Sequence, residues 1–393
     1  MCIRDRFKTN DYGITWMQLL DSEKIEGYSL SFIQDPEVEN LLFLGTENGL
    51  WISIDAGKNW KKFKNGYPSV STMDMVIQEK ESALVIGTFG RAIWILDDLL
   101  SLREIAKKNI NKEINLFPVN DAVQVKGLFI NPPGNIWTGF NTTFEGQNKP
   151  FQKVEIPFYL NADIEPTNKV KGSIYDSKEN KINEIYSGYL VEGLNYITWR
   201  LDEASESLNQ RKGNNKSRGI AVLPGMYKIV LEYKSQKDSV VIKIKQDPRF
   251  DISDEIEKQR YLFKKSSKKI VKQLNDVFRK IDKVSDSLNV MEEKIDYKNK
   301  KSFMDIKITL NKLKEAGKET PKNRQVGAWK SNKITPYSLV SNIEKISIAG
   351  IKKPSKQHWE RLNEVMKIVK KYQKEVDIFV ATKWKIFLKK INN

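Results

Sequence analysis

Two octets set 44 positions apart constrain this chain more than any other feature. Thr9-Asn10-Asp11-Tyr12-Gly13-Ile14-Thr15-Trp16 and Ser53-Ile54-Asp55-Ala56-Gly57-Lys58-Asn59-Trp60 share the pattern S/T-x-D-x-G-x-(T/N)-W. The residue types suit a tight turn. An Asp carboxylate accepts backbone N–H bonds inside such a turn, Gly supplies a position with φ > 0, and Trp covers the base of a hairpin. Thr9, Asp11, Gly13 and Trp16, and likewise Ser53, Asp55, Gly57 and Trp60, are therefore expected to stabilise the chain locally.

A second repeat runs in step with the first. Leu44-Gly45-Thr46-Glu47-Asn48-Gly49-Leu50-Trp51 returns as Ile86-Gly87-Thr88-Phe89-Gly90-Arg91-Ala92-Ile93-Trp94, with Gly45 and Gly87 42 positions apart. A period of 42 to 44 fits one four-stranded blade of a β-propeller. Strand signals fall at 28–33, 41–45, 50–53 and 60–63, then at 71–77, 83–87 and 92–96, parted by Gly, Asn, Asp and Pro. Residues 7–100 are thus expected to hold about two blades. Propellers close with at least four, so the chain is expected to be the C-terminal part of a longer protein. Residues 1–6 join no blade pattern; their wording resembles translated sequencing-adapter sequence, and they are set aside as a non-native leader.

Composition narrows the rest. No run approaches 18 consecutive apolar residues, so no membrane span is expected. The one cysteine, Cys2, lies in the leader, which excludes disulfides and thiolate zinc sites. One histidine, His358, argues against a His-based metal site or a Ser-His triad; beside Trp359 it reads as a solvated helix-end residue. No metal and no cofactor are expected. The net charge of +17 is confined to one segment: residues 251–393 hold 35 Lys+Arg against 18 Asp+Glu, and the first 250 residues hold 32 of each. A compositional boundary therefore lies near Asp247-Pro248.

Between the blades and that boundary the pattern is again β. Residues 101–150 read as a linker with short strands around Pro118, Pro132 and Pro133. From 151 to 247 strands are expected at 154–160, 170–175, 188–191, 194–200, 220–222, 223–233 and 239–244, with a turn at 176–180. Seven or so short strands with turn signals every 8–15 residues suggest an Ig-like β-sandwich, with Trp199 and Tyr227 as core and corner residues. Beyond it the period changes. Ile270, Leu274, Val277, Ile281, Val284, Leu288, Met291 and Ile295 form a seam, which Phe303, Ile306, Leu310 and Leu313 continue on a second helix. Thr335-Pro336 starts a third, and Pro354-Ser355 a last one running to Ile391. Residues 250–393 therefore read as a basic α-helical, bundle-like region. Lysines dominate its charge and no recognition motif accompanies them. Solvated helix faces are expected, with contact to an anionic polysaccharide or lipid surface as the alternative and no nucleic-acid partner.

The two octets match the Asp-box, and with the Leu84–Asp98 stretch they make the chain resemble bacterial sortilin-like, Asp-box (BNR-repeat) propeller proteins, often labelled glycosyl hydrolases. Gly193, Asn195, Ile197 and Trp199, followed by Pro224, Gly225 and Tyr227, resemble the Ig-like domain of flagellar hook-capping proteins. The resemblance implies an order of propeller, Ig-like module and helical tail, export to the periplasm, cell surface or medium, and a protein or glycan ligand. Glycosidase chemistry needs two carboxyls about 5–9.5 Å apart. Asp74, Asp97, Asp98, Glu47 and Arg91 are the available groups, and no motif designates a catalytic residue among them. Arg91, Asp97 and Asp98 are carried forward as possible rim or channel binding residues. The reading is a non-catalytic interaction protein; the alternative is the C-terminal portion of a glycan-acting hydrolase whose catalytic blades lie upstream.

Overall fold

The computed structural model describes all residues except 1–6, 20–24, 65–66, 81, 98, 109, 125–152, 162–163, 165–167, 206–207, 209–218, 249–250, 294, 319–333, 349–351 and 392–393. The leader, Pro132, Pro133 and Asp98 therefore lie outside the described residues. The chain is β-rich first and helical last, and it divides into two compact units. One runs to Leu201 and resumes at Pro224–Asp247; the other joins Asp202–Leu223 to the chain from Pro248 onward.

In the first unit the apolar runs pair as antiparallel meanders. A two-residue hairpin, β1 (Phe7–Lys8) with β2 (Met17–Gln18), precedes a four-stranded sheet of β3 (Ser29–Gln34), β4 (Leu42–Thr46), β5 (Gly49–Ser53) and β6 (Lys61–Lys62). A three-stranded sheet follows, of β7 (Thr72–Gln78), β8 (Ala83–Thr88) and β9 (Ile93–Leu96). The two sheets repeat in register. The cross-strand row Phe32, Leu44, Trp51 returns as Met75, Ile86, Trp94, and the row Ile33, Phe43, Ile52 returns as Val76, Val85, Ile95. Even the bulge recurs, between Ser29 and Ser31 and again between Thr72 and Asp74. Phe43, Leu50 and Ile52 of the first sheet pack on Met75, Ile86 and Trp94 of the second in one core. Side chains alternate along a strand, so the opposite face of the first sheet carries Leu44 and Trp51, covered by Ile25, Leu19 and Trp60. Gly45 is what lets the sheets approach: a Cβ there would lie 2.2 Å from Ser31 Oγ and 2.5 Å from the Thr72 carbonyl oxygen. Ser31 Oγ donates to that same carbonyl at 3.0 Å.

The chain departs from the expected strands at once after β9. Leu99–Ala106 is a helix, α1. Its start marks a broken repeat, since Leu99 N donates to Ser82 O as Ala56 N donates to Asn40 O one repeat earlier. Where a third turn and a fourth strand would follow, α1 lies over the sheets and sends Arg103 inward. Arg103 Nε donates to Asp35 Oδ2 at 2.9 Å, and Nη1 donates to Glu37 Oε1 at 2.6 Å and Ser82 Oγ at 3.2 Å. Arg103 and Asp35 are both fully enclosed, while Asp35 Oδ1 accepts the N–H groups of Glu37 and Val38.

Two further sheets complete this unit. β10 (Ile114–Leu116), β12 (Val154–Leu160) and β15 (Gly193–Trp199) form one; β11 (Ala122–Gln124), β19 (Gln236–Gln246), β18 (Gly225–Tyr233), β13 (Lys171–Tyr175) and β14 (Lys181–Tyr186) form the other. Every pairing is antiparallel except β11 with β19. Trp199 and Tyr227, from different sheets, meet at 5.5 Å between rings, and both are buried. Two expectations need correction. Residues 188–191 are not a strand; Asn195 shapes them as a turn, its side chain bonding Val191 N, Val191 O and Gly193 O. The strand lies earlier, in Lys-Ile-Asn-Glu-Ile-Tyr, a sheet-edge sequence without clean alternation. The segment at 220–222 does not join these sheets either: β17 (Ile220–Ala221) pairs with β16 (Asp202–Glu203) in the second unit.

That unit is otherwise helical: α2 (Asp254–Glu292), α3 (Lys300–Gly317), α4 (Pro336–Ile348), α5 (Lys356–Phe379) and α6 (Lys385–Ile391). The apolar seam read from the sequence forms its core, with Ile270, Leu274, Val277, Ile281, Val284 and Leu288 against Phe303, Val340, Val365 and Val376. The last helix differs from expectation by one turn, Val380–Trp384, wound as a π-helix between α5 and α6. The extra residue per turn shifts Trp384 and Phe387 inward, where they stack at 5.8 Å. His358 caps α5, its Nδ1 accepting Ser355 N while Ser355 Oγ accepts His358 N. Several lysines pair across helices, Lys268 with Glu344 at 2.8 Å and Lys280 with Asp377 at 2.5 Å. Among the described residues no helix is long and apolar enough to cross a membrane.

Removing Arg103 strands the Asp35 carboxylate in a site closed to water. Arg103→Met is expected to destabilise the first unit by about 3–5 kcal/mol; thermal unfolding checks this, and a loss below about 1 kcal/mol would show that α1 is dispensable.

Candidate functional site

The two octets fold into the same turn, bond for bond. Thr9 Oγ1 donates to Asp11 Oδ1 at 2.8 Å and accepts Gly13 N at 2.7 Å; Ser53 Oγ donates to Asp55 Oδ1 at 2.8 Å and accepts Gly57 N at 2.9 Å. Thr15 N reaches Asp11 Oδ1 at 2.8 Å and Thr15 Oγ1 reaches Oδ2 at 2.5 Å, matched by Asn59 N at 2.9 Å and Asn59 Nδ2 at 2.7 Å on Asp55. In each turn the tryptophan indole N–H closes the loop on the glycine carbonyl at 3.1 Å. Gly13 and Gly57 take φ values of 95° and 89°, and Tyr12 and Ala56 before them are also left-handed. The chemistry follows from the residue types: a short hydroxyl and a carboxylate four residues from their acceptor-seeking amides satisfy the turn without distant help.

Each oxygen of both carboxylates accepts at least one of these bonds, which favour the charged form. Hydrogen bonds from the Thr15 hydroxyl and then the Thr15 backbone hold Asp11 at about 2. Burial pushes Asp55 the other way, yet the Asn59 backbone N–H, the Asn59 amide and Ser53 together outweigh it and keep the carboxyl below its usual range. A carboxyl held down and enclosed by donors cannot supply a proton near neutral pH, so neither is placed for general-acid chemistry. The tryptophans differ: Trp16 is exposed, whereas Trp60 is half-buried and tilts against Phe32 at 6.4 Å.

The other candidate residues do not converge. Arg91 sits exposed on the β8–β9 turn, its backbone oxygen accepting Trp94 Nε1 at 2.7 Å, and its guanidinium forms no ion pair among the described residues. Asp97 follows β9 at the strand's other end, so at roughly 3.3 Å per residue the two lie about 20 Å apart. On the Arg91 side stand Glu47, on the equivalent β4–β5 turn, the exposed Asp74 and the exposed Phe89. This rim combines charge of both signs with one aromatic ring. The cluster missed by sequence reasoning is Asp35, Glu37, Ser82 and Arg103, whose only local signal was the Asp35-Pro36 turn. Among the described residues no three His, Cys, Asp or Glu side chains gather as a metal site. Comparison with protein-family models and with curated proteins found no match to this chain.

The turn donors on Asp55 are partly solvated, so Asp55→Ala is expected to cost about 1 kcal/mol, and Trp60→Ala, half-buried, about 1–2 kcal/mol. Because the folded-state pKa of Asp55 is depressed, its contribution is present above the unfolded carboxyl value of about 4 and is lost as pH falls through the lower folded value. Melting temperature measured from pH 6 to pH 2 should therefore fall more for the parent chain than for Asp55→Asn; parallel curves would show that the turn bonds carry no stability.

Proposed function

We propose that the first unit is the non-catalytic, ligand-presenting part of a sortilin-like, Asp-box propeller protein. Its two repeat sheets are read as neighbouring propeller blades, the pair of sheets holding Trp199 and Tyr227 as an Ig-like module, and the helical unit as an accessory tail. The observation that carries this reading is the identity of the two turns. Every oxygen of Asp11 and Asp55 is spent on its own hairpin, so the repeated motif serves as scaffold and recognition falls to what the sheets display. The surface that suits it is the rim with Arg91, Asp74 and Phe89: an aromatic face for a sugar ring or side chain, and a guanidinium able to hold a carboxylate through paired N–H bonds. The ligand is a protein or a glycan, and the setting that goes with the resemblance is outside the cytoplasm.

A panel of immobilised glycans and chromogenic aryl glycosides tests this. Binding without turnover is expected, and Arg91→Ala or Phe89→Ala should weaken it about tenfold, the scale of one lost charge-assisted contact, at unchanged melting temperature. Hydrolysis that disappears in Asp74→Asn or Asp97→Asn would replace this reading with a glycan hydrolase.

A further inference from the structure

The continuous helix α5–α6 carries its excess charge in one part. Over 356–366 the charged residues are Lys356, Glu360, Arg361 and Glu364, and they pair along the helix, Lys356 with Glu360 at 3.7 Å and Arg361 with Glu364 at 3.0 Å. Residues 367–391 hold eight lysines against Glu375 and Asp377, and Asp377 is already held by Lys280 of α2. Lys367, Lys370, Lys371 and Lys374 are all exposed and form no ion pair among the described residues.

Two isoleucines stand in line with these lysines. At 3.6 residues per turn, positions eight apart on an α-helix diverge by about 80°. The π turn at Val380–Trp384 takes up an extra residue and removes that offset. On the inner side, Phe379 and Phe387, eight apart, are therefore both buried, as are Val376 and Trp384. On the outer side the same register aligns Ile378 with Ile386, which are 53% and 65% exposed. Thr382 lies between them, its hydroxyl donating back to the Ile378 carbonyl oxygen at 2.7 Å. Lys374, Lys371 and Lys367 extend the line, four, seven and eleven positions before Ile378. An open groove along its edge is lined by Lys370, Gln373, Lys374, Asp377, Ile378 and Ala381.

The outer stripe is thus basic and apolar at once. A soluble polyanion would engage the lysines and gain little from the isoleucines. A bilayer interface uses both: apolar side chains enter the boundary between headgroups and acyl chains, while lysine stems reach back to the phosphates. We infer that this outer face of α5–α6 docks on the surface of an anionic lipid bilayer. Lys367, Lys371 and Lys374 supply the attraction to acidic headgroups, and Ile378 and Ile386 supply the insertion. The opposite face stays in the helical core, so docking requires no unfolding, and the helix lies on the membrane without crossing it.

This inference stands apart from the propeller reading, which concerns the first unit. Flotation of the 393-residue chain with vesicles tests it. Vesicles of phosphatidylglycerol and phosphatidylcholine in equal parts should carry the protein, and pure phosphatidylcholine vesicles should not. Raised salt should weaken the binding. Lys371→Gln and Lys374→Gln should each weaken it about fivefold. Ile378→Ser combined with Ile386→Ser should weaken it about tenfold, with the circular dichroism spectrum and retention on a heparin column unchanged. Lys178→Gln, on the exposed β13–β14 turn, should leave vesicle binding as it was. Absence of binding to the anionic vesicles overturns the inference, as does equal binding to the neutral ones. Binding that the lysine substitutions weaken but the isoleucine pair leaves intact also overturns it, and assigns the stripe to a polyanion in place of a bilayer.

Discussion

A sheet whose two faces are both apolar can be buried only between two other layers. That constraint shapes the first half of this chain. In β4 and β5 every residue is buried, because one face looks to β7–β9 and the other to Leu19, Ile25 and Trp60. In β8 and β9 the same residue pattern meets, among the described residues, a neighbour on one side only, and exposure rises accordingly. Stacking order, more than strand propensity, decides which of two nearly identical sheets is dry.

The aspartate turns and helix α1 serve that stack in different ways. The turns hold the outer hairpin of a sheet by bonds that never reach beyond four residues. Helix α1 binds at long range, joining the loops after β3 and β7 through one buried arginine. The pair Arg103–Asp35 is dry on both sides, and such a pair gains strength from its extra hydrogen bonds, here from Ser82 and the Glu37 and Val38 amides. It stands where the repeat would otherwise continue, so the helix ends the meander and ties the loops after β3 and β7 to it with the same residues.

This difference in range explains what the sequence disclosed. The turns were legible at Asp11 and Asp55 because donor, acceptor and left-handed glycine all lie within one octet, and the strands from 28 to 96 because their apolar alternation is local. The seam from Ile270 to Leu288 was legible for the same reason. Helix α1 was not: its decisive contact spans 68 positions, and Leu99-Leu100-Ser101-Leu102 reads as well as a strand. The edge strand Lys181–Tyr186 lacked alternation because water covers much of it, and β17 was misassigned because its partner, β16, is two residues long. Of the candidate site, the scaffold residues and Arg91 at its strand turn could be read, but the grouping of Arg91 with Glu47 and Asp74 could not. Arg91, Glu47 and Asp74 come to one end of the sheets through the repeat register, which no single motif announces.

Hydrogen exchange tests most directly whether coverage of both faces governs stability in this repeat. Amides of β4 and β5 should exchange slowest, those of β8 and β9 distinctly faster, and those of the β1–β2 hairpin fastest. Equal protection of β4–β5 and β8–β9 would contradict the account, because a sheet with one open face would then be as stable as a sheet with none.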